Sequence, residues 1–149
     1  MSSAKADSAI KAYGKVNVQA NAEYATPHRL ISMLIEGALD KISAAKGFMQ
    51  RKEIENKGNY ISWAISIIEG LRISLDGEKG GEIAANLESL YIYMEQRLVE
   101  ANARNDESIL DEVTGLLRTV QEAWMSLPQE IQNAPDVQKV GQQSPESTG

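Results

Sequence analysis

An all-α fold, an antiparallel four-helix bundle with an N-terminal arm and a disordered C-terminal tail, is what the sequence predicts, and three observations predict it. Apolar residues recur every three or four positions in four successive segments between Thr26 and Leu127. The link "DGEKGG" is short and made of turn residues, and "NDES" supplies a cap for the fourth segment. Beyond Leu127, "PQEIQNAPDVQKVGQQSPESTG" holds three of the four prolines and five glutamines but no aromatic residue. Such a segment buries too little apolar surface to offset the entropy of ordering. The chain therefore divides into an arm (1–25), mobile or docked on the bundle, a helical domain (26–127) and a disordered tail (128–149).

The first helix begins at "ATPHRL", where Thr26 can cap and Pro27 occupies a position whose missing N–H costs nothing. Arg29 stands where a capping box would place Glu. Leu30, Leu34, Ala38, Ile42, Ala45 and Met49 form one apolar row, and Ile31, Ile35 and Leu39 widen it enough to meet more than one neighbour. The second helix runs from about Ile54 to Leu75, with Gly58 early in it, and turns Ile61, Ala64, Ile65, Ile68, Leu71 and Leu75 inward. The stretch from Asp76 to Gly81 reads as a turn, since its glycines can take positive φ. So short a link makes helices two and three antiparallel. Helix three, roughly Glu82 to Ala103, presents Ile83, Leu87, Leu90, Met94, Leu98 and Ala101. Helix four opens at Asn105 or Asp106, carries Ile109, Val113, Leu116, Leu117, Val120 and Trp124, and ends by Pro128. In the arm, Ile10 and Tyr13 share a face if helical, while Val16 and Val18 alternate as in extended chain.

Composition removes several functional classes. At 149 residues one domain is expected. Fifteen Lys and Arg against 21 Asp and Glu give a net charge of −6, which argues against nucleic acid as a partner. The absence of Cys removes disulfides, thiol nucleophiles and zinc–thiolate sites and fits a reducing compartment. No segment reads as a secretory signal or a spanning helix, so a cytosolic protein without membrane insertion is expected.

Catalysis has little to stand on. The only histidine, His28, has no Glu three residues before it, as a carboxylate-bridged bundle metal site would require, and reads as a solvated first-turn residue. No Gly-x-Ser-x-Gly elbow accompanies it. "DGEKGGE" is no EF-hand, because the twelfth position from Asp76 is Leu87, and it lacks the Gly-Lys-Ser/Thr of a phosphate loop. No catalytic residue, metal or cofactor is expected. A bundle enzyme with a constellation invisible in sequence, and a structural subunit that self-associates through its apolar surface, are the rival classes. Interaction remains. Tyr91, Ile92 and Tyr93 extend the Leu90 and Met94 row until apolar or aromatic side chains point in nearly every direction, more than one bundle face can use.

Three blocks carry a family resemblance: "ATPHRLISMLIEGALDKISAA", "WAISIIEGLRISLDGEKGGEIAANLESLYIYMEQRLVEANARND" and "LDEVTGLLRTVQEAW". They resemble the flagellar secretion chaperones of the FliS family, from about Ile10 to Trp124. The most specific part is the glycine pair followed in order by Asn86, Leu90, Tyr91 and Asn102, and "AIKAYGKVNV" resembles the family's N-terminal segment. Trp63 stands where a polar or basic residue is usual, and Ile35 and Glu36 where an aromatic and an Asp are common.

The resemblance implies an antiparallel bundle that binds the C-terminal segment of flagellin in the cytosol, prevents premature polymerisation and helps deliver it to the flagellar type III export apparatus. It carries over Ile10 and Tyr13, since "IKAY" matches the family's N-terminal recognition segment; from these we expect Ile10, Tyr13 and Val16 to act as a displaceable plug and the surface of helices two and three near Ile68, Tyr91, Met94 and Leu98 to receive flagellin. Some relatives also bind the anti-sigma factor of the flagellar cascade, and a homodimer of the free chaperone is left open.

Overall fold

The computed structural model describes residues 26–75 and 77–127, with the backbone alone at 77–80. The expected arm and tail lie outside the described residues. Helix α1 spans Pro27–Gln50. Thr26 caps it in an extended conformation, its Oγ1 accepting from the Arg29 N–H at 3.1 Å, with Pro27 in the first turn. Its far end closes with Lys52 left-handed at φ 59. There the Lys52 N–H donates to the Met49 carbonyl and the Glu53 N–H to that of Phe48. This paired arrangement satisfies carbonyls that a helix end leaves over, with Lys where Gly is commonest.

Helix α2 (Ile54–Ile73) starts at Glu53 without a side-chain cap, but Glu55 in its first turn and Arg72 in its last complement the helix dipole. Helix α3 (Gly77–Arg104) is broken at Gly81, whose φ of 57 and ψ of −135 are non-helical. The predicted turn is thus partly helical, residues 77–80 being wound, and the helix breaks at one glycine, since that conformation is nearly closed to residues with a Cβ. Helix α4 (Glu107–Met125) is capped by Asp106, which accepts from the Ser108 N–H at 2.9 Å. The Asp106 N–H donates back to the Ala101 carbonyl around a left-handed Asn105 (φ 51), so one residue ends α3 and starts α4. The helix stops at Met125, shortly before Pro128.

The helices close a ring in which α1 packs on α2 and α4, and α3 on α2 and α4. Cross-contacts give the directions. Lys57 meets Asn102 while Arg72 meets Glu95, and His28 meets Trp124 while Gln50 meets Glu107, so both pairs are antiparallel. The wide apolar face of α1 is explained: Leu34, Ile35, Ala38, Ile42 and Ala45 are buried and serve two neighbours. Each fully buried aliphatic side chain contributes roughly 1.5–3 kcal/mol before entropy is counted.

Predicted positions shift on three of the helices. On α2, Ile67 is fully buried, whereas Ile65 and Leu75 pack only partly against the core. On α3, Ile83 is 52% exposed, and the inward row runs through Ala84, Tyr91, Met94, Leu98 and Ala101. The break at Gly81 sets the rotation of α3, and that phase puts Tyr91 inside and Ile83 outside. His28, expected in solvent, is 5% exposed and held against Trp124.

Lys57 is buried as well, with its stem in the bundle and its ammonium donating to the Asn102 carbonyl at 2.9 Å and to Asn105 Oδ1 at 2.5 Å. A cation among the last carbonyls of α3 is placed where the helix dipole favours it.

Candidate partner-binding surface

The residues expected to receive a partner form part of the core. Ile68, Met94 and Leu98 are fully buried and Tyr91 is 1% exposed, all in one cluster with Ile35, Ile61 and Leu117. Burial also pushes the Tyr91 phenol above its ordinary value. In this conformation the four meet the bundle and no solvent. Ile10, Tyr13 and Val16 lie outside the described residues.

The apolar cluster foreseen at residues 91–93 is divided by the helix rotation. Tyr91 is inside, whereas Ile92 (38%) and Tyr93 (40%) are outside, and Val99, one seventh-residue step beyond Ile92, is 59% exposed. Sequence reasoning passed over Val99, although the seven-residue spacing from Ile92 is visible in the chain. Tyr93 donates to Glu112 of α4, which also accepts from Arg97 Nε at 2.8 Å. Those two hydrogen bonds hold the Glu112 carboxyl below its ordinary 4.5. Arg97 and Arg104 both bridge to Glu100. On the α2 side, Arg72 bonds Glu95 at 3.2 Å and Glu69 at 3.5 Å. Below this pair a cleft of about 270 Å³ opens between the helices, lined by Arg72, Leu75, Gly81, Ala84, Ala85 and Glu88.

A second aromatic group sits across α1 and α2. Phe48, Tyr60 and Trp63 touch ring to ring, and the Lys41 ammonium lies 3.8 Å above the Trp63 ring. The Trp63 Nε1–H is buried without a hydrogen-bond partner among the described residues. Across those residues no group of His, Asp and Glu has the geometry to hold a metal ion. No described helix is long and apolar enough to cross a membrane. What the geometry offers is apolar helix surface rimmed by carboxylates, suited to binding a polypeptide.

Comparison with known proteins agrees. The family described as Flagellar protein FliS matches residues 9–131. A flagellar secretion chaperone FliSB of Pseudomonas aeruginosa is 51% identical over 116 residues, covering 78% of this chain and 92% of the relative. Flagellar secretion chaperone FliS of Salmonella typhimurium is 47% identical over 121 residues, 80% of this chain and 90% of the relative. That of Bacillus subtilis is 35% identical over 100 residues, 67% of this chain and 74% of the relative. A match of this extent along the bundle, at these identities, means that the chain belongs to the FliS family of flagellar secretion chaperones, a family of chaperones and not of enzymes.

Proposed function

We propose that this chain acts in the bacterial cytosol, binding the C-terminal segment of flagellin, preventing its premature polymerisation and assisting its delivery to the flagellar type III export apparatus. The observation that carries the reading is the family match over residues 9–131, which includes both the "IKAY" segment and the α2 and α3 surface. A disordered export substrate that orders on contact can cover a long apolar surface, and by mass action the chaperone then keeps its sticky segments from one another. No bond is made or broken in that task.

Ile68, Tyr91, Met94 and Leu98 are buried, so their role as receiving residues requires that what covers them part when the substrate arrives. Ile10, Tyr13 and Val16 are proposed as the plug that moves. Binding of an anti-sigma factor and a homodimer of the free chain belong to the same proposal as accessory states.

The test is calorimetric titration of the chain with its host's flagellin, intact and lacking the C-terminal segment. The expected result is a 1:1 complex with a negative heat-capacity change that disappears with the truncation. Equal binding of both forms, or of neither, overturns the reading.

A further inference from the structure

Among the described residues, the ring of four helices leaves the outer face of α3 without a helical neighbour, since there α3 packs only on α2 and α4. Along that face Ala85, Ser89, Ile92, Gln96, Val99 and Ala103 are all exposed. Their spacing alternates four and three, the repeat of a coiled-coil seam, and none is charged. By the helical rise of about 1.5 Å per residue the strip is about 27 Å long. Small residues at both ends and in the upper part, with Ile92 and Val99 between, would let a second helix approach closely while two aliphatic knobs pack.

The rims are acidic. Glu95, bonded to Arg72, and Glu88, beside Arg72 in the cleft, flank the strip toward α2; Glu100, which shares Arg97 with Glu112, flanks it toward α4, and Glu82, about five helical turns before Glu100, falls on the same line. The nearby guanidiniums of Arg72, Arg97 and Arg104 are already bonded to Glu69, Glu95, Glu100 and Glu112. A second copy of this chain laid on the strip would set carboxylate rim against carboxylate rim. The tail, with Glu130, Asp136 and Glu146 against Lys139, is mismatched in the same sense.

We propose that this strip is a docking seam for one helix of another protein, with small and aliphatic side chains on one stripe and Lys or Arg along its flanks. The seam is separate from the buried residues assigned above to flagellin, and its probe is a peptide, so failure here leaves the flagellin reading untouched. Uncharged a and d positions supply contact, and the glutamate rims select the flanking charge and the register.

The chain has no cysteine, so Gln96→Cys in the full-length protein takes a single benzophenone label at the middle of the seam. The probe is a synthetic amphipathic helical peptide of about 20 residues, matching the strip's length, with Ala and Leu on its stripe and Lys on its flanks. A second peptide carries Glu on the flanks instead. Saturable photo-crosslinking to the Lys peptide and not to the Glu peptide is expected. Ile92→Ser with Val99→Ser should lower its affinity about tenfold or more with only a small fall in melting temperature, because both side chains are more than a third exposed. Glu88→Lys should shift the preference toward the Glu peptide and serves as a second, non-disruptive variant. Equal crosslinking to both peptides, or none, overturns the proposal. So does a crosslinked dimer without peptide, which would make a second copy the occupant. A crosslink mapping within residues 1–25, which carry Lys5, Lys11 and Lys15, would make the arm the occupant and also overturn it.

Discussion

His28 and Trp124, at opposite ends of the helical sequence, clasp each other twice. The His28 Nε2–H donates to the Trp124 carbonyl at 2.9 Å, and the Trp124 Nε1–H donates to the His28 carbonyl at 3.0 Å. Their rings stack with centroids 4.9 Å apart and planes 6° from parallel. The Trp124 carbonyl belongs to the last turn of α4, where helices leave acceptor capacity over, and it accepts this side chain from α1 besides a long bond from the Leu127 N–H at 3.5 Å. The pair fastens the first turn of the bundle to its last. Trp124→Phe keeps a ring for stacking and removes one donor, and should cost about 1 kcal/mol in urea unfolding. His28→Ala removes ring and donor together and should cost about 2–3 kcal/mol. Equal values for the two variants would show that stacking contributes nothing.

Backbone conformation makes predictions of opposite sign. Gly81 breaks α3 at φ 57, and among the described residues nothing lies within 4 Å of where its Cβ would stand. Gly81→Ala should therefore destabilise by about 1–3 kcal/mol through strain alone. Gly115 is helical, exposed and equally uncrowded. There Gly115→Ala should stabilise by about 0.5–1 kcal/mol. Lys52→Gly, at the left-handed end of α1, should also stabilise, by about 1 kcal/mol. Denaturant midpoints of the three variants decide the matter, and a loss at residue 52 would count against the left-handed cap.

Lys57 joins α2 to the end of α3 by two hydrogen bonds, and its stem is packed in the bundle. Lys57→Ala should cost about 2–3 kcal/mol, since it removes both the packing and the donor to a helix-end carbonyl. Lys57→Met keeps the stem and should recover about half of that loss. Thermal unfolding of both variants beside the parent is the measurement, and identical losses would assign the whole effect to the ammonium.

The α3 to α4 network predicts an acid limb in stability. Glu112 has its carboxyl held below 4.5 by Tyr93 and Arg97, so the folded state binds that proton less readily than the unfolded chain. Its contribution is complete above 4.5 and is lost as pH falls through the lower folded value. Glu112→Gln should lower the melting temperature slightly near neutrality and make its fall below about pH 4.5 shallower than in the parent. Parallel melting curves of parent and variant at every pH would exclude the network as a source of acid sensitivity.

Substrate handling should separate from stability at the arm. Replacing Ile10 and Tyr13 together by Ala should weaken capture of the flagellin C-terminal segment while leaving thermal unfolding nearly unchanged. Titration and melting of the same preparation test both halves, and a large drop in melting temperature would make these side chains structural.

The sequence by itself determined the four helices and most of their inward rows, because 3.6-residue periodicity and the caps at Thr26 and Asp106 are local properties. It also determined the family, through the ordered glycine pair, Asn86, Tyr91 and Asn102. Tertiary structure decided the rest. The rotation of α3 after Gly81 put Tyr91 in the core and left Ile83, Ile92 and Val99 outside, because phase depends on one backbone break and on two packed neighbours. His28 and Lys57 look like surface residues in sequence. They are buried because their partners, Trp124, Asn102 and Asn105, arrive from distant segments with the acceptors each donor needs. Local pattern fixes which residues are apolar and helical, whereas the choice of face and of partner is made only when the helices close on one another.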